Sequence, residues 1–144
     1  MVASISEIRG ASNLLLEIHE MQQNRWYYER EKLRLFSTFA LLGVLGTITA
    51  AEGALDTQYG NTYGIRIELS NYPYALPKVY PRGWTIQPEV THKFNDGSMC
   101  IMRSDQWRKH FTVALVVAKT AIWLNKYEIW KRNGHRWPGL EQKH

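Results

Sequence analysis

The sequence predicts an α+β domain: an N-terminal helix, an antiparallel meander of three or four strands, a long ordered loop and a closing helix. Three observations carry that expectation. Helical periodicity marks residues 12–33 and returns from Phe111; strict alternation marks residues 63–70; a proline-rich stretch without period lies between that strand and the last helix. With 144 residues, of which 44% are hydrophobic, the chain can bury one core, and residues 1–144 read as a single domain.

In the N-terminal segment, "SISE" at 4–7 places Ser4 and Glu7 at capping-box spacing. Gly10 interrupts, and "SNLLLEIHEMQQ" then puts Leu14, Leu15, Ile18 and Met21 on one helical face, with helix expected to continue through "RWYYEREKL". Residues 35–51, "LFSTFALLGVLGTITAA", are rich in strand formers, and Gly43 and Gly46 would spoil a helix. These seventeen uncharged residues only reach the lower edge of a membrane span. Four hydroxyl side chains and two glycines argue instead for one long or two shorter buried strands. "GALDTQYGNT" at 53–62 reads as a turn or exposed loop.

The clearest strand is "YGIRIELS", with Tyr63, Ile65, Ile67 and Leu69 facing one way and Arg66 and Glu68 the other. Four prolines between 71 and 90 then allow at most a short edge strand around Val79. The last helix, "FTVALVVAKTAIWLNKYEIWKR", turns Val113, Val116, Val117, Ile122 and Trp123 to a broad apolar face. Gly134 ends it, and Pro138 blocks extension.

Composition narrows the function classes. A single cysteine, Cys100, excludes an internal disulfide and a multi-cysteine zinc site, so a reducing, cytoplasmic setting is expected. His19, His110, His135 and His144 show no metal-ligand spacing with it, and no cofactor or metal is expected. The net charge of +5 gathers in "WRKHF" and the tail "KRNGHRWPGLEQKH". With no dense basic run and no RNA-binding signature, direct nucleic-acid binding is not expected. The N-terminus has no charged region followed by an apolar block, so neither a signal peptide nor a membrane partner is expected.

The stretch "HKFNDGSMCIMRSDQW" at 92–107 holds the chemistry-bearing candidates. A lone cysteine is ordinarily a small buried apolar filler. Here it lies just past a Gly97-bearing turn, after His92 and Asn95, on a loop between sheet and helix where reactive groups are commonly presented. Thiolate is the reactive form, and Lys93, Arg103 and Arg108 are close in sequence to favour it. Asn95 before Asp96 and Gly97 is also good turn chemistry. Asp96 or Asp105 is placed to orient an amine, and Trp107 reads as a packing anchor.

Two segments together resemble the ubiquitin-conjugating enzymes: "YGIRIELSNYPYALPKV", a strand running into Tyr-Pro and then Pro-Lys-Val, and "HKFNDGSMC", with "SDQW" placing Trp107 seven residues after Cys100. The resemblance covers residues 63–125. It implies a UBC-like fold: N-terminal helix, antiparallel four-stranded meander, active-site loop, and C-terminal helix or helices. It also implies that Cys100 carries an acyl group as a thioester. Tyr72, Pro73 and Pro77 would fix the loop supporting the site. The family's His-Pro-Asn tripeptide is absent, and the interval from His92 to Cys100 is shorter than usual. By position His92 stands where the family has its asparagine; by residue type Asn95 is the candidate. Both stay open as the oxyanion donor, and His92 is also a candidate base.

This looser motif is similar to the bacterial branch, including the conjugating proteins of antiphage CBASS operons, which encode a CD-NTase. The partners so implied are an activating enzyme or charged donor protein, a CD-NTase or ubiquitin-like protein whose C-terminal glycine is carried, and a target protein amine. Arg25, Trp26, Tyr27 and Arg30 resemble in position the surface that meets the activating enzyme. Two other readings of the residues are a cysteine hydrolase using His92 or His110, and a catalytically silent binding module. The tail "HRWPGL" is expected to pack across the last helix or to dock on a partner.

Overall fold

The computed structural model describes residues 14–139, so the Ser4–Glu7 capping signal lies outside the described residues. Helices α1 (Ile18–Gln22) and α2 (Arg25–Leu33) precede strands β1 (Ala40–Val44), β2 (Thr47–Asp56), β3 (Thr62–Glu68) and β4 (Lys78–Pro81). A 3₁₀ turn (Ser104–Gln106) and the long helix α3 (Val113–Arg132) complete the order.

The N-terminal expectation is corrected. Leu14 and Leu15 do not join a helical face with Ile18 and Met21. Leu15 instead bridges to Phe111, and the Leu16 N–H donates to the His110 carbonyl at 2.7 Å. Pairing with 110–112 satisfies this backbone in extended form and turns Leu14 and Leu16 inward, leaving Ile18 69% exposed. Asn24, at φ +55°, then breaks α1 from α2.

The strands form one antiparallel meander in the order β1-β2-β3-β4. Of residues 35–51, expected as buried strand, 35–39 instead form turns after α2, and only 40–51 become β1, which is largely exposed, and the start of β2. The two are joined by Leu45 and Gly46, which both take positive φ as tight hairpin turns require. No helix among the described residues is long and apolar enough to cross a membrane. β2 runs on to Asp56 because Ala54, Leu55 and Asp56 pair with Gly64, Tyr63 and Thr62. That confines the expected turn to 57–61, closed by Thr57 N–H donating to the Asn61 carbonyl at 2.8 Å. β3 alternates as its sequence predicts: Ile65 and Ile67 are fully buried, while Arg66 lies between Glu52 and Glu68, 2.6 Å from each. The short edge strand expected at Val79 is β4.

Helix α3 starts at Thr112, whose hydroxyl accepts from the Leu115 N–H at 3.0 Å. It is apolar around most of its girth, from Val113 and Val116 to Trp123, Leu124 and Trp130, because the sheet covers one side and loops cover the others. Two fully buried carboxylates fasten its ends. Glu29 of α2 accepts from the Val113 N–H at 2.9 Å, from Arg25 Nε at 3.1 Å and from the Tyr72 hydroxyl, joining α2, the Tyr-Pro loop and the first turn of α3. Glu128 accepts from Tyr63 at 2.6 Å, Asn61 at 2.7 Å and Arg132 at 2.5 Å.

Their proton affinities move in opposite directions. Burial raises the Glu29 carboxyl in spite of its hydrogen bonds and the Arg25 charge. Burial also works to raise Glu128, but the hydrogen bonds from Tyr63, Asn61 and Arg132 and the Lys131 charge overcome it and hold the group down at about 2. A depressed carboxylate adds stability that is present above its unfolded value of 4.5 and is lost as pH falls through the folded one. Urea unfolding between pH 2.5 and 6 is therefore predicted to show on the order of 2 kcal/mol of acid-sensitive stability that Glu128→Gln lacks. An unchanged acid slope in the variant would contradict this assignment. Glu29, being raised, contributes in the opposite sense: its share is lost as pH rises through its folded value.

Candidate active site

Residues 92–100 form a β-hairpin. Lys93 bridges to Met99, the Phe94 N–H donates to the Ser98 carbonyl at 2.8 Å, and the Gly97 N–H donates to the Phe94 carbonyl at 3.0 Å. Asn95, Asp96 and Gly97 make the tip, where Gly97 supplies φ +87°. The Asp96 carboxylate organises this tip. It accepts from the Ser98 N–H at 2.9 Å and hydroxyl at 2.6 Å, and from Lys78 of β4 at 2.5 Å, with the Tyr80 hydroxyl at 3.3 Å. The Lys78 hydrogen bond, with those from Ser98, holds the Asp96 carboxyl well below the usual carboxylate range.

The returning arm lies against the sheet, with Met99 N–H donating to the Val79 carbonyl at 2.8 Å. One step further, the Cys100 N–H donates to the His92 carbonyl at 3.1 Å, and the indole N–H of Trp123 on α3 donates to the same oxygen at 2.8 Å. The register makes His92 and Cys100 directly opposed, and opposed residues of an antiparallel pair project to one face. The fold thus brings these two candidates together. Asn95 sits at the exposed tip, about 10 Å further along by strand rise.

The thiol itself is not open to solvent as the loop position suggested. Cys100 is 6% exposed and His92 5%. The S–H points to the Met102 carbonyl, with sulfur and oxygen 3.8 Å apart. Burial pushes the Cys100 thiol up to about 12. Two of the three basic residues near it in sequence are engaged elsewhere: Arg103 lies 3.3 Å from Asp105, and Arg108 donates to the carbonyls of Asp105 and Trp107. The physical reason is the setting, since one arm of the hairpin is paired to β4 and its base is bonded to α3. Trp137, from beyond α3, stacks on the His92 ring at 4.5 Å and 20°. Periodicity assigned Trp123 to the apolar face of a helix but could not show that its indole N–H reaches His92. The Lys78–Asp96 pin and the Trp137 stack span long sequence separations and leave no local signal.

The supporting residues behave as packing chemistry requires. Trp107 is buried and donates its indole N–H to the Pro73 carbonyl at 2.7 Å, with Tyr72 and Phe111 rings beside it. On α2 the four residues assigned to a contact surface divide. Arg25 is turned inward to Glu29, Tyr72 and the Phe111 carbonyl, and Trp26 packs on Tyr72. Tyr27 and Arg30 are exposed, and Arg30 lines a groove of about 420 Å³ with Leu33, Phe36, Phe39 and Leu41. His110 lines a different recess, with Leu16 and His19. Among the described residues, no group of three or more His, Cys, Asp or Glu side chains could hold a metal ion.

A four-stranded antiparallel meander between N-terminal helices and a long closing helix, with the cysteine loop just before that helix, is the UBC-like architecture that the sequence resemblance implied. The family model described as "Type II CBASS E2 protein" matches residues 21–144, and the chain belongs to that family. Among solved structures, the crystal structure of a ubiquitin-conjugating enzyme E2 from Plasmodium falciparum is similar, with a TM-score of 0.49 and 21% identity, covering 69% of this chain and 96% of that one. No curated protein matches the sequence.

A thiol held this high makes a kinetic prediction. Alkylation of Cys100 by iodoacetamide in the folded protein should rise about tenfold per pH unit from 7 to 10 without a plateau, and at pH 8 should run roughly a thousandfold below a free thiol. Stopped-quench mass spectrometry reads this directly; levelling-off near pH 8.5 would mean an ordinary exposed thiol.

Proposed function

We propose that this chain is the acyl carrier of a CBASS conjugation reaction, acting in the cytoplasm. Cys100 takes the C-terminal glycine of a CD-NTase or ubiquitin-like protein as a thioester and passes it to an amine on a target protein. The observation that carries the reading is the placement of the one cysteine directly opposite His92 at the base of a hairpin pinned to both β4 and α3, in a chain of the E2 family. Such pinning serves a carrier, because both reaction partners must meet one fixed sulfur.

In the first step the Cys100 sulfur, as thiolate, attacks the carbonyl of the donor's thioester. A new C–S bond forms, the donor's C–S bond breaks, and the donor thiolate leaves and takes up the proton. In the second step an amine attacks the Cys100 thioester carbonyl. The tetrahedral oxyanion collapses, the C–S bond breaks, an amide forms, and the amine's proton returns to the departing sulfur. His92, sharing a face with Cys100, is the oxyanion donor in this reading. Asn95 at the tip is the alternative, better placed to meet an incoming acceptor. The raised thiol affinity makes a partner-induced change of surroundings part of the proposal, since thiolate is scarce in the buried state.

One observation favours a second reading, a catalytically silent binding module: the 6% exposure of Cys100. The two separate cleanly in a charging assay. With a charged donor the wild type should form a thiol-sensitive adduct, Cys100→Ser a thiol-resistant ester, and Cys100→Ala none; absence of the first two establishes the binding module. Single-turnover transfer to an amine should slow by about 10²–10³ in His92→Ala with charging retained, and His92→Asn should restore part of it. The same loss in Asn95→Ala, with His92→Ala near wild type, would exchange the two roles.

A further inference from the structure

We infer that residues 135–139 are a strap that holds the Cys100 site closed, and that lifting Trp137 from His92 opens it. The inference takes its purpose from the acyl-carrier reading, but its geometry stands independently of it.

The strap begins where α3 ends. Gly134 and His135 both lie in the left-handed region, at φ +60° and +63°, and the His135 N–H donates to the Trp130 carbonyl at 3.0 Å. This is a Schellman-type closure, and it reverses the chain direction. The His135 ring then stacks on Trp130 at 4.0 Å and 11°. Two residues later Trp137 reaches back to the level of Trp123, 5.3 Å between centroids, and covers the His92 ring. At Gly139 an added Cβ would stand 3.9 Å from Lys126 Nζ, so the segment continues across the same side of α3.

His92 is consequently clasped twice. Its carbonyl is held by Trp123, and its ring is covered by Trp137, which rests on that same Trp123. Cys100, its opposed neighbour, shares the closed site. On this inference, a molecule approaching the face that His92 and Cys100 share has to displace the Trp137 indole from the His92 ring.

The strap is attached in a way that lets it open ahead of the domain. Residues 136–139 make no backbone hydrogen bond to any other described residue. His135, Arg136 and Gly139 are exposed, and only Trp137 and Pro138 are partly buried. Stacked rings without a backbone ladder are the kind of contact that breaks in local, sub-global opening. The hinge is short and defined, formed by two adjacent left-handed residues, of which His135 is a non-glycine held there by its bond and its stack.

Maleimide labelling of Cys100 in the full chain, at pH 7.5 and followed across low urea, tests the strap without any donor. Trp137→Ala should label about tenfold faster than wild type, the factor expected for removing one aromatic stack. The faster rate should be independent of urea below the unfolding transition. Trp137→Phe, which keeps a ring over His92, should return most of the way to the wild-type rate. His135→Ala, at the exposed hinge residue, should also accelerate labelling by loosening the hinge, and it carries the test if Trp137→Ala fails to fold. Unchanged rates in these variants, or acceleration that tracks urea as global unfolding does, would overturn the inference. Failure of donor charging with labelling accelerated as described would instead sink the acyl-carrier reading and leave the strap.

Discussion

The site depends on a single carbonyl oxygen. His92 O receives the Cys100 N–H from across the hairpin and the Trp123 indole N–H from α3. A carbonyl has two lone pairs, and here both are used, so the base of the hairpin cannot shift relative to either neighbour without leaving a buried donor unmet. The Met99 bond to Val79 adds the sheet as a third fixed body. Sheet, hairpin and helix are joined at the point where the only cysteine of the chain emerges.

The rest of the fold holds that junction in place through buried charge. Glu29 ties α2 and the Tyr-Pro loop to the start of α3, and Glu128 ties the end of α3 to the β2–β3 turn and β3. Each carboxylate is fully buried, and each is surrounded by donors. For Glu29 desolvation outweighs the hydrogen bonds and the Arg25 charge, whereas for Glu128 the hydrogen bonds and the Lys131 charge prevail over it. Their consequence for the site is positional. With both ends of α3 located, the level of Trp123 is set, and with it the height at which the hairpin docks.

In the proposed carrier role, a buried thiol has a physical logic. Removing the sulfur from water keeps it protonated and unreactive until its surroundings change. That couples chemistry to a conformational step, since a partner can raise reactivity only by binding an open form better than the closed one. An aromatic stack suits this use: it covers area and excludes water, yet it is not locked by the cooperative hydrogen-bond ladder that makes a strand or helix slow to yield.

The sequence by itself determined the class of fold, the antiparallel order, the facing of β3, the short strand at Val79, the long helix with its Gly134 stop, and Trp107 as an anchor. Each is written in local terms: period two, period three-and-a-half, a proline, a glycine. It also marked residues 92–107 as the stretch that holds the chemistry-bearing candidates, through a glycine turn beside the one cysteine. Tertiary structure decided what those terms do not encode. Leu14 and Leu15 gave up a helical face because strand-like pairing with 110–112 was available to satisfy their backbone. Arg25 turned inward because a buried carboxylate lay across from it. The hairpin separated His92 from Asn95, and Lys78, Trp123 and Trp137, arriving from elements distant in the chain, fixed its tip, the His92 carbonyl and the His92 ring. A contact between residues far apart in sequence has no period to read, and the exposure of one sulfur is a sum of such contacts.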